Sequence, residues 1–271
     1  MATHAFLMAA NTLLIVYMAE RYWLIPFLII LQGFFFVGVM EAFHQSVHSN
    51  LFASRAVNNF FGYLSGSLMG LSFIAYKRFH IIHHATTNTH KDPEKDFYLD
   101  QAPLLGVLFY PFVFLMRNAN IINKGRYLKE GDAGTHRFAM ALIVLFPVIA
   151  VVFTVFYPYI MLIAYWLPYV VFFYVELLMS QSQHYLSKER IVAPRQKDQY
   201  QDAVNILLPW PLEFASLYTN HHATHHVYAG SKWYDIPRKT KADSNLVINM
   251  GFFSFFKRCI EQGAREWKAA I

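Results

Sequence analysis

The sequence predicts an all-α integral membrane protein in which four transmembrane helices form two hairpins. Of the 271 residues, 56% are hydrophobic and 18% are aromatic, and the mean hydropathy is +0.28. This composition is too apolar for an ordinary soluble domain. Long stretches with at most one charge also approach the ~20 apolar residues that a helix needs to cross a bilayer. Internal repeats and low-complexity tracts are absent from the sequence, so we expect one domain over residues 1–271.

The first hairpin is expected near the N-terminus, with spans at about 5–19 and 22–43. The first stretch is uncharged and the second contains one charged residue, Glu41, while Glu20 and Arg21 mark the turn between them. A cleaved signal peptide explains the first stretch poorly, because there is no basic start and no small-residue cleavage site. We therefore expect the N-terminal stretch to be a span.

The second hairpin is expected within residues 138–180, which contain a single charge, Glu176. This stretch is long enough for two spans. Its predicted turn is Tyr157-Pro158-Tyr159, which divides it into spans at about 138–157 and 158–180.

The distribution of positive charge predicts which side of the membrane the polar segments occupy. Of 23 Lys and Arg residues, ten lie in 44–137, twelve lie in 181–271 and only Arg21 lies elsewhere. By the positive-inside rule both segments and both termini are expected on the cytoplasmic side. Together the two segments contain 22 basic and 14 acidic residues. Topology and anionic lipid headgroups account for this excess, so nucleic acid is not an expected partner.

Three shorter apolar segments are expected to lie in or along the membrane interface beside a histidine-rich helical cap. Phe60–Tyr76 and Ala102–Met116 have 17 and 15 residues, which is short for a span. If both crossed the membrane, the loop 77–101 between them would be separated from the other polar segments. The third segment, Phe252–Phe256, is a candidate interfacial helix.

Nine of the thirteen histidines form a pattern that indicates a metal site. They are His44 and His48 in HQSVH, His80, His83 and His84 in HIIHH, the isolated His184 in QSQHY, and His222, His225 and His226 in HATHH. Spacings of three and four place side chains on one face of a helix, and imidazole binds iron, zinc, copper and nickel. In the predicted topology all nine lie at one membrane face. Nine imidazoles are too many for one tetrahedral ion and suit two ions.

The single cysteine, Cys259, narrows the choice of metal. Iron–sulfur clusters and cysteine-rich zinc sites are excluded, because both need several thiolates, and an internal disulfide is excluded as well. Iron is the expected metal for two nitrogen-rich sites beside a membrane. On ligand type alone, zinc and copper stay open.

Two acidic residues in apolar surroundings are candidate partners of the histidines. Metal-bound histidine usually donates its second ring N–H to a carboxylate or a carbonyl. Glu41 lies three residues before His44, and Glu176 lies eight residues before His184, so each shares a helical face with that histidine. We expect Glu41 to contact the first histidine cluster; the alternative is a carboxylate that reaches from the membrane end into water.

Four further polar residues are expected to lie outside the metal site. Asp92 and Asp96 in HKDPEKDF are expected to fix a loop by capping it or by pairing with nearby Lys and Arg. His221 immediately precedes the last cluster and is expected to face away from the metal, because adjacent residues on a helix point about 100° apart; the alternative is a residue that supports a metal ligand. His4 is expected to be a terminal residue without a role.

The order of the histidine motifs, HxxxH, HxxHH, an isolated His and NxHxxHH, resembles that of the membrane fatty acid desaturase and hydroxylase superfamily. The similarity extends from about Glu41 to Pro237 and includes the hydrophobic layout. The stretches HSNLFASRAVNNFFGYLSG, HHATTNTHKDPEKDF and HHVYAGSKWYDIP look like the family's continuations after the three motifs. Members include acyl-chain desaturases, lipid hydroxylases, carotenoid ketolases and hydroxylases, and alkane monooxygenases.

This resemblance implies a non-haem diiron centre that uses dioxygen and external electrons. Carried over by position, the iron ligands are His44, His48, His80, His83, His84, His184, His222, His225 and His226. Gln183 or Asn220 is a candidate for a further ligand, directly or through water. The resemblance implies desaturation or hydroxylation of a lipid or fatty acyl chain. A carotenoid ketolase or hydroxylase is the alternative within the superfamily.

The sequence contains no recognisable electron-transfer module, which bears on the source of electrons. It has no haem-binding or ferredoxin-like module and no Rossmann-type glycine fingerprint. We therefore expect electrons from a separate protein, such as a ferredoxin or a cytochrome b5-type protein, and an acidic partner is compatible with the basic segments. The rival is a non-catalytic metal transporter or sensor. A transporter predicts ligands along a path through the spans, whereas here they lie at one side.

Overall fold

The computed structural model describes residues 1–20, 23–94, 110–184, 199–200, 203–254 and 257, and for 110, 111, 113–115, 178 and 180–184 it describes the backbone alone. These residues are mostly helical, in agreement with the predicted fold class. The α-helices are α1 (Ala2–Tyr17), α2 (Ile25–Val47), α3 (Arg55–Leu68), α4 (Phe73–Thr86), α5 (Tyr110–Asn123), α6 (Ala133–Phe156), α7 (Pro158–Met161), α8 (Leu167–His184), α9 (Trp210–Ala215), α10 (His222–Val227) and α11 (Ile236–Ala242). The strands are β1 (Val204–Leu207) and β2 (Ile248–Gly251).

Helices α1 and α2 pack as an antiparallel pair. Asn11 Nδ2 donates to Gln32 Oε1 over 2.8 Å and to the carbonyl oxygen of Leu28 over 3.0 Å. Nearer the start of α1, the ring of His4 contacts the ring of Phe35, later in α2. Earlier residues of α1 therefore meet later residues of α2, as the first predicted hairpin requires.

Three helical stretches in the described part of the chain are long and apolar enough to cross a membrane. They are Ile25–Val47, Ala133–Phe156 and Pro158–Leu177, and they correspond to three of the predicted spans. Helix α1 is a shorter apolar helix of 16 residues. Helix α2 continues to Val47, past the predicted end of the span at residue 43, and His44, Gln45 and Ser46 near its end are buried inside the protein. The first histidine motif therefore begins within this helix, as the spacing of His44 and His48 predicts.

The second hairpin turns at Tyr157-Pro158-Tyr159, as predicted. Tyr157 leaves the helical conformation of α6 with φ −134°, and Pro158 begins α7. A π-helical turn, Leu162–Trp166, then leads into α8. Trp166 Nε1 donates to Thr154 Oγ1 over 2.9 Å, so the chain after the turn folds back along α6.

The predicted apolar segment Phe60–Tyr76 is divided between α3 and α4. The chain turns at Gly70, whose φ of +73° lies in the left-handed region that favours glycine. Each of the two helices has 14 residues, which is too short to span a bilayer. Residues 102–109, 255 and 256 of the other two predicted interfacial segments lie outside the described part of the chain.

An apolar core joins α2, α3, α4 and α5 next to the histidine motifs. The rings of Phe43 and Phe73 are almost fully buried and meet edge-on with centroids 6.0 Å apart. Burying such a ring contributes about 1.5–3 kcal/mol. Gly66 lets α3 approach closely, since a Cβ there would lie 2.6 Å from the Phe43 ring and 2.7 Å from the carbonyl oxygen of Leu71. This core fixes the helices that carry the first two histidine motifs.

A two-stranded parallel sheet supports the last histidine motif. Strand β1 pairs with β2 in a register that sets Val204 opposite Ile248. The Ile206 N–H donates to the carbonyl oxygen of Asn220 over 2.8 Å. The sheet therefore holds the segment that immediately precedes α10.

Candidate metal centre

Two helix ends and one short helix bring the histidine motifs together. The first motif lies at the C-terminal end of α2, HIIHH lies in the second half of α4, and HATHH forms most of α10. In the part of the chain described, eight of the nine predicted histidines fall into two groups, in each of which the ring nitrogens lie within 4.8 Å of one another. The first group is His44, His48, His80, His84 and His225, and the second group is His83, His222 and His226.

In the first group, the Nε2 atoms of two histidines face each other, although the N–H group of each ring is on its Nδ1 atom. His44 Nε2 lies 2.8 Å from His80 Nε2. The Nδ1 atoms of these rings lie 3.0 Å from Glu41 and 2.9 Å from Glu94. A neutral imidazole has one N–H and a carboxylate only accepts, so both N–H groups belong on Nδ1 and two lone pairs converge. Converging lone pairs need a cation between them, and the donor set therefore fits a metal ion.

Burial keeps two rings of the first group, His80 and His225, uncharged. The rings of His80 and His225 are 2% and 4% exposed. Removal from water, together with the neighbouring histidines, lowers the pKa of both rings well below the usual value for histidine. Metal binding requires an unprotonated nitrogen, so these rings are ready ligands at neutral pH.

The second group has three converging nitrogens. His222 Nε2 lies 2.9 Å from His226 Nε2, which in turn lies 3.4 Å from His83 Nε2. His83 places its other nitrogen 2.8 Å from Asp92 Oδ1. The two groups are adjacent, because HIIHH contributes to both. The structure thus places two groups of potential metal ligands side by side.

Asp92 lies beside this site and caps its own loop, which is one of the two roles predicted for it, and it pairs with His83 rather than with Lys or Arg. It is 5% exposed and accepts hydrogen bonds from His83 and from the backbone N–H groups of Asn88 and Glu94. Burial opposes its ionisation, but these hydrogen bonds lower its pKa below the usual value. The loop-fixing part of the prediction is correct. Asp96 lies outside the described residues.

Glu94 is a site residue that no motif in the sequence indicates. Its Oε1 accepts from His80 Nδ1, and its Oε2 lies 3.6 Å from His83 Nε2. One carboxylate therefore lies beside a histidine of each group. The sequence shows only that a run of charged residues follows HIIHH. The contact forms because this run folds back over α4, and the sequence pattern does not predict that fold.

Of the predicted ligand His184 and the candidate further ligands Gln183 and Asn220, the structure describes the side chain of Asn220 alone. The side chains of His184 and Gln183 lie outside the described residues. Asn220 donates from Nδ2 to the Ile206 carbonyl oxygen over 2.7 Å and to Glu213 Oε1 over 2.9 Å. Among the described residues its buried Oδ1 has no hydrogen-bond partner, which leaves that oxygen available.

A buried polar network outside the two groups holds α10. His221 faces away from both groups, as predicted, and its Nδ1 lies 3.0 Å from Thr240 Oγ1. Thr240 Oγ1 is 2.7 Å from Thr224 Oγ1, which accepts from Asn205 Nδ2 over 3.0 Å. The network joins α10 to α11 and to β1. It fixes the helix that contributes histidines to both groups.

His4 has a structural role, so the prediction that it has none is wrong. It is 3% exposed, and its Nε2 lies 2.8 Å from the carbonyl oxygen of Ala215. A Cβ at Gly38 would overlap the His4 ring, so the glycine makes room for it. His4 therefore ties α1 to α2 and to α9.

A cavity of about 290 Å³ opens beside the two histidine groups. It lies between α2, α4, α5 and α8 and reaches His44, His80 and His222. Glu176 also lines it, so that this predicted candidate lies beside the site. Much of the remaining wall is apolar or aromatic, formed by Met40, Met69, Leu71, Met116, Ile122, Tyr169, Phe172 and Phe173. Such a cavity suits a hydrocarbon chain.

Comparison with known proteins agrees with this geometry. A search of curated proteins gives no match. The family model described as fatty acid desaturase matches residues 21–248, a range that includes all nine predicted histidines. This match covers most of the chain and supports an oxidoreductase in a membrane setting with a lipophilic acyl substrate. The chain therefore belongs to the fatty acid desaturase family.

Proposed function

We propose that the protein is a membrane diiron oxidase that removes hydrogen from a lipid or fatty acyl chain, with desaturation favoured over hydroxylation. The observation that carries the proposal is the convergence of two histidine groups beside an apolar cavity. A transporter would instead need ligands spaced along the spans, whereas these histidines cluster at helix ends.

The proposed ligands of the first ion are His44, His48, His80, His84 and His225. Those of the second are His83, His184, His222 and His226, with Gln183 or Asn220 as a further ligand, directly or through water. Among the residues that the structure describes, Asn220 Oδ1 has no hydrogen-bond partner, which supports its candidacy. When bound, iron would supply, with dioxygen and external electrons, the oxidising power to take hydrogen from an unactivated C–H bond.

The carboxylates have an orienting role in this proposal. Glu41, Asp92 and Glu94 each accept from the Nδ1 of one histidine, which fixes the tautomer and leaves Nε2 free for metal. No side chain is basic enough to remove a proton from an alkyl chain, so the protein's own part is to orient ligands, place the chain and exclude water. Placement of the chain in the cavity then decides between an alkene and an alcohol.

The membrane arrangement is also part of the proposal. We place the four predicted helices across the bilayer as two hairpins, with the metal centre and the termini on the cytoplasmic side. Electrons would come from a separate protein of the ferredoxin or cytochrome b5 type. The basic cytoplasmic segments would attract an acidic partner.

Metal analysis tests the proposal directly. Detergent-purified protein should contain about two irons per chain, since nine imidazoles suit two ions. His83→Ala should lose or halve that iron, whereas His90→Ala, which changes an exposed histidine, should keep it. Lipid profiling of expressing cells would then identify the product. Bound zinc with no uptake of ferrous iron under anaerobic conditions would refute the oxidase.

A further inference from the structure

An apolar segment near the third histidine motif is exposed at the surface of the protein. Residues 207–212, the LLPWPL segment, contain no charge, although they lie in the basic segment 181–271. Leu207 and Trp210 are 46% and 67% exposed, and Pro209 and Pro211 are exposed as well. Contiguous apolar residues at a surface mark a face that contacts a partner or a membrane.

The inner side of the LLPWPL segment packs against the middle of α2. Leu208 and Leu212 belong to one apolar cluster with Phe34 and Phe35. Phe35 lies ten residues after Ile25, the first residue of α2, which corresponds to about 15 Å along the helix. The hydrocarbon core of a bilayer is ~30 Å thick, so a helix that starts at one face reaches half its depth there.

Ring contacts connect Trp210 to the start of α1. The rings of Trp210 and Phe214 are stacked with centroids 6.0 Å apart, and Phe214 lies 6.3 Å from the ring of His4. His4 lies in the first turn of α1, and Phe6, two residues later, is 68% exposed. The LLPWPL segment therefore lies alongside both helices of the first hairpin, next to apolar side chains that also face outward.

The backbone of the LLPWPL segment is suited to an environment without water. In hydrocarbon every backbone polar group needs a partner within the protein. Pro209 and Pro211 have no N–H group to satisfy. The Leu208 N–H donates to Glu213 Oε1 over 3.3 Å, and the Leu212 N–H donates to the Pro209 carbonyl oxygen over 2.9 Å. These features lower the cost of placing the segment in lipid.

We propose that the LLPWPL segment inserts between the acyl chains of the bilayer leaflet nearer the metal centre, with Leu207 and Trp210 in contact with lipid. The inference rests on the proposed membrane arrangement, because it takes α1 and α2 as spans. Lipid is the occupant that the packing favours, since Leu208 and Leu212 meet α2 at a depth that a crossing helix places in hydrocarbon. The contact is apolar, so it does not depend on the charge of the headgroup.

The inserted segment also supports the third histidine motif. Asn220, two residues before His222, donates to the Ile206 carbonyl oxygen and to Glu213 Oε1. Ile206 and Glu213 directly flank the LLPWPL segment. Bilayer lipid thereby becomes part of what holds the chain at the start of α10.

The test places the full chain in nanodiscs whose phospholipids have bromine on the acyl chains, which quenches tryptophan fluorescence on contact. The difference between native protein and Trp210→Phe isolates the signal of Trp210. Trp233→Phe is the matched control, because Trp233 is 7% exposed. Trp23→Phe gives a reference signal, because Trp23 is 72% exposed beside the turn between α1 and α2. Iodide serves as the quencher from the water phase.

We expect the Trp210 signal to lose most of its intensity in brominated lipid and to resist iodide. The loss should not change with salt, since the contact is apolar. The Trp233 signal should keep most of its intensity. If Trp210→Phe does not fold, a spin label on Leu207→Cys in a Cys259→Ser background replaces it. Oxygen, which concentrates in lipid, should then relax the label more than a water-soluble nickel complex does.

Quenching of Trp210 by iodide and not by brominated lipid would overturn the inference, because the segment would then face water. A signal that neither quencher reaches would also overturn it, since a second copy of the chain would then cover the segment. Quenching of Trp23 without quenching of Trp210 rejects the inference alone. If brominated lipid quenches neither, the membrane arrangement fails together with the inference, whereas the iron content of the same preparations tests the oxidase separately.

Discussion

Glu94 Oε1 accepts a hydrogen bond from His80 Nδ1 over 2.9 Å, although the two residues are fourteen positions apart. Its other oxygen lies 3.6 Å from His83 Nε2, so the carboxylate lies beside both histidine groups. Its removal should therefore affect both proposed metal positions. The contact requires the chain after α4 to return over the helix that it has just left.

We expect Glu94→Gln to weaken iron binding about 10- to 100-fold, the usual effect of losing an outer partner of a metal-bound histidine. Glutamine keeps the size of the side chain but presents no charged acceptor to His80. Competition between the protein and a calibrated iron chelator measures the change. Glu130→Gln is the control, because Glu130 is exposed. Equal affinities in the two variants would show that the carboxylate does not support the centre.

Asp92→Asn should destabilise the protein by roughly 2–3 kcal/mol. Asp92 accepts from three N–H groups, and an asparagine would turn an NH₂ group toward at least one of them. The loss should be measured as a lower melting temperature in metal-free protein, so that ligand effects do not contribute. A melting temperature equal to that of the native protein would contradict the proposed importance of this loop.

The ion pair of Arg78 and Asp132 predicts a pH effect on stability. Hydrogen bonds from the Arg78 guanidinium, at 2.8 and 3.0 Å, hold the pKa of Asp132 below its usual value. A carboxyl whose pKa is lowered by folding stabilises the fold above its unfolded pKa of ~3.9 and loses that contribution as pH falls through the folded value.

Melting temperatures between about pH 6 and about pH 3 test this in native protein and Asp132→Asn. At the upper end the variant should be less stable by about 1 kcal/mol, since the pair is partly exposed. At the lower end the difference should shrink toward zero. A difference that is constant with pH would assign the effect to packing and not to charge.

Gly66→Ala should destabilise the core by about 1–3 kcal/mol, because the added methyl would overlap the Phe43 ring and the Leu71 carbonyl oxygen. Gly134→Ala is the matched control, since a Cβ there meets nothing within 4 Å. It should be neutral or slightly stabilising, as alanine favours helix more than glycine does. Denaturant titration of both variants in the same detergent gives the comparison. Equal losses of stability in the two variants would show that close packing of α3 at Gly66 does not limit the stability of the core.

The histidine motifs were predictable because their geometry is local. Residues three or four apart on a helix share a face whatever the tertiary structure, and eight of the nine are indeed brought together. Glu41 could be predicted for the same reason, since it lies one turn before His44. Asp92 and Glu94 could not, because their contacts depend on how the loop after α4 folds back.

The position at which a helix ends is harder to predict from the sequence than the presence of the helix. The predicted span ends at about residue 43, and the sequence does not show whether the helix that continues to Val47 lies in water or inside the protein. Gln45 and Ser46 are 1% and 0% exposed, so the helix continues into the protein interior. Burial of this kind depends on what packs against the helix, and a single sequence does not show it.

The parallel pairing of β1 with β2 has a consequence for biosynthesis. Strand β2 ends at Gly251, well after the last histidine motif, yet β1 needs it as a partner to hold the segment before α10. Every histidine would leave the ribosome before the strand that steadies the final motif. The metal centre is therefore finished late in translation, and a chain that stops before Ile248 would carry all nine imidazoles without the support that aligns the last three.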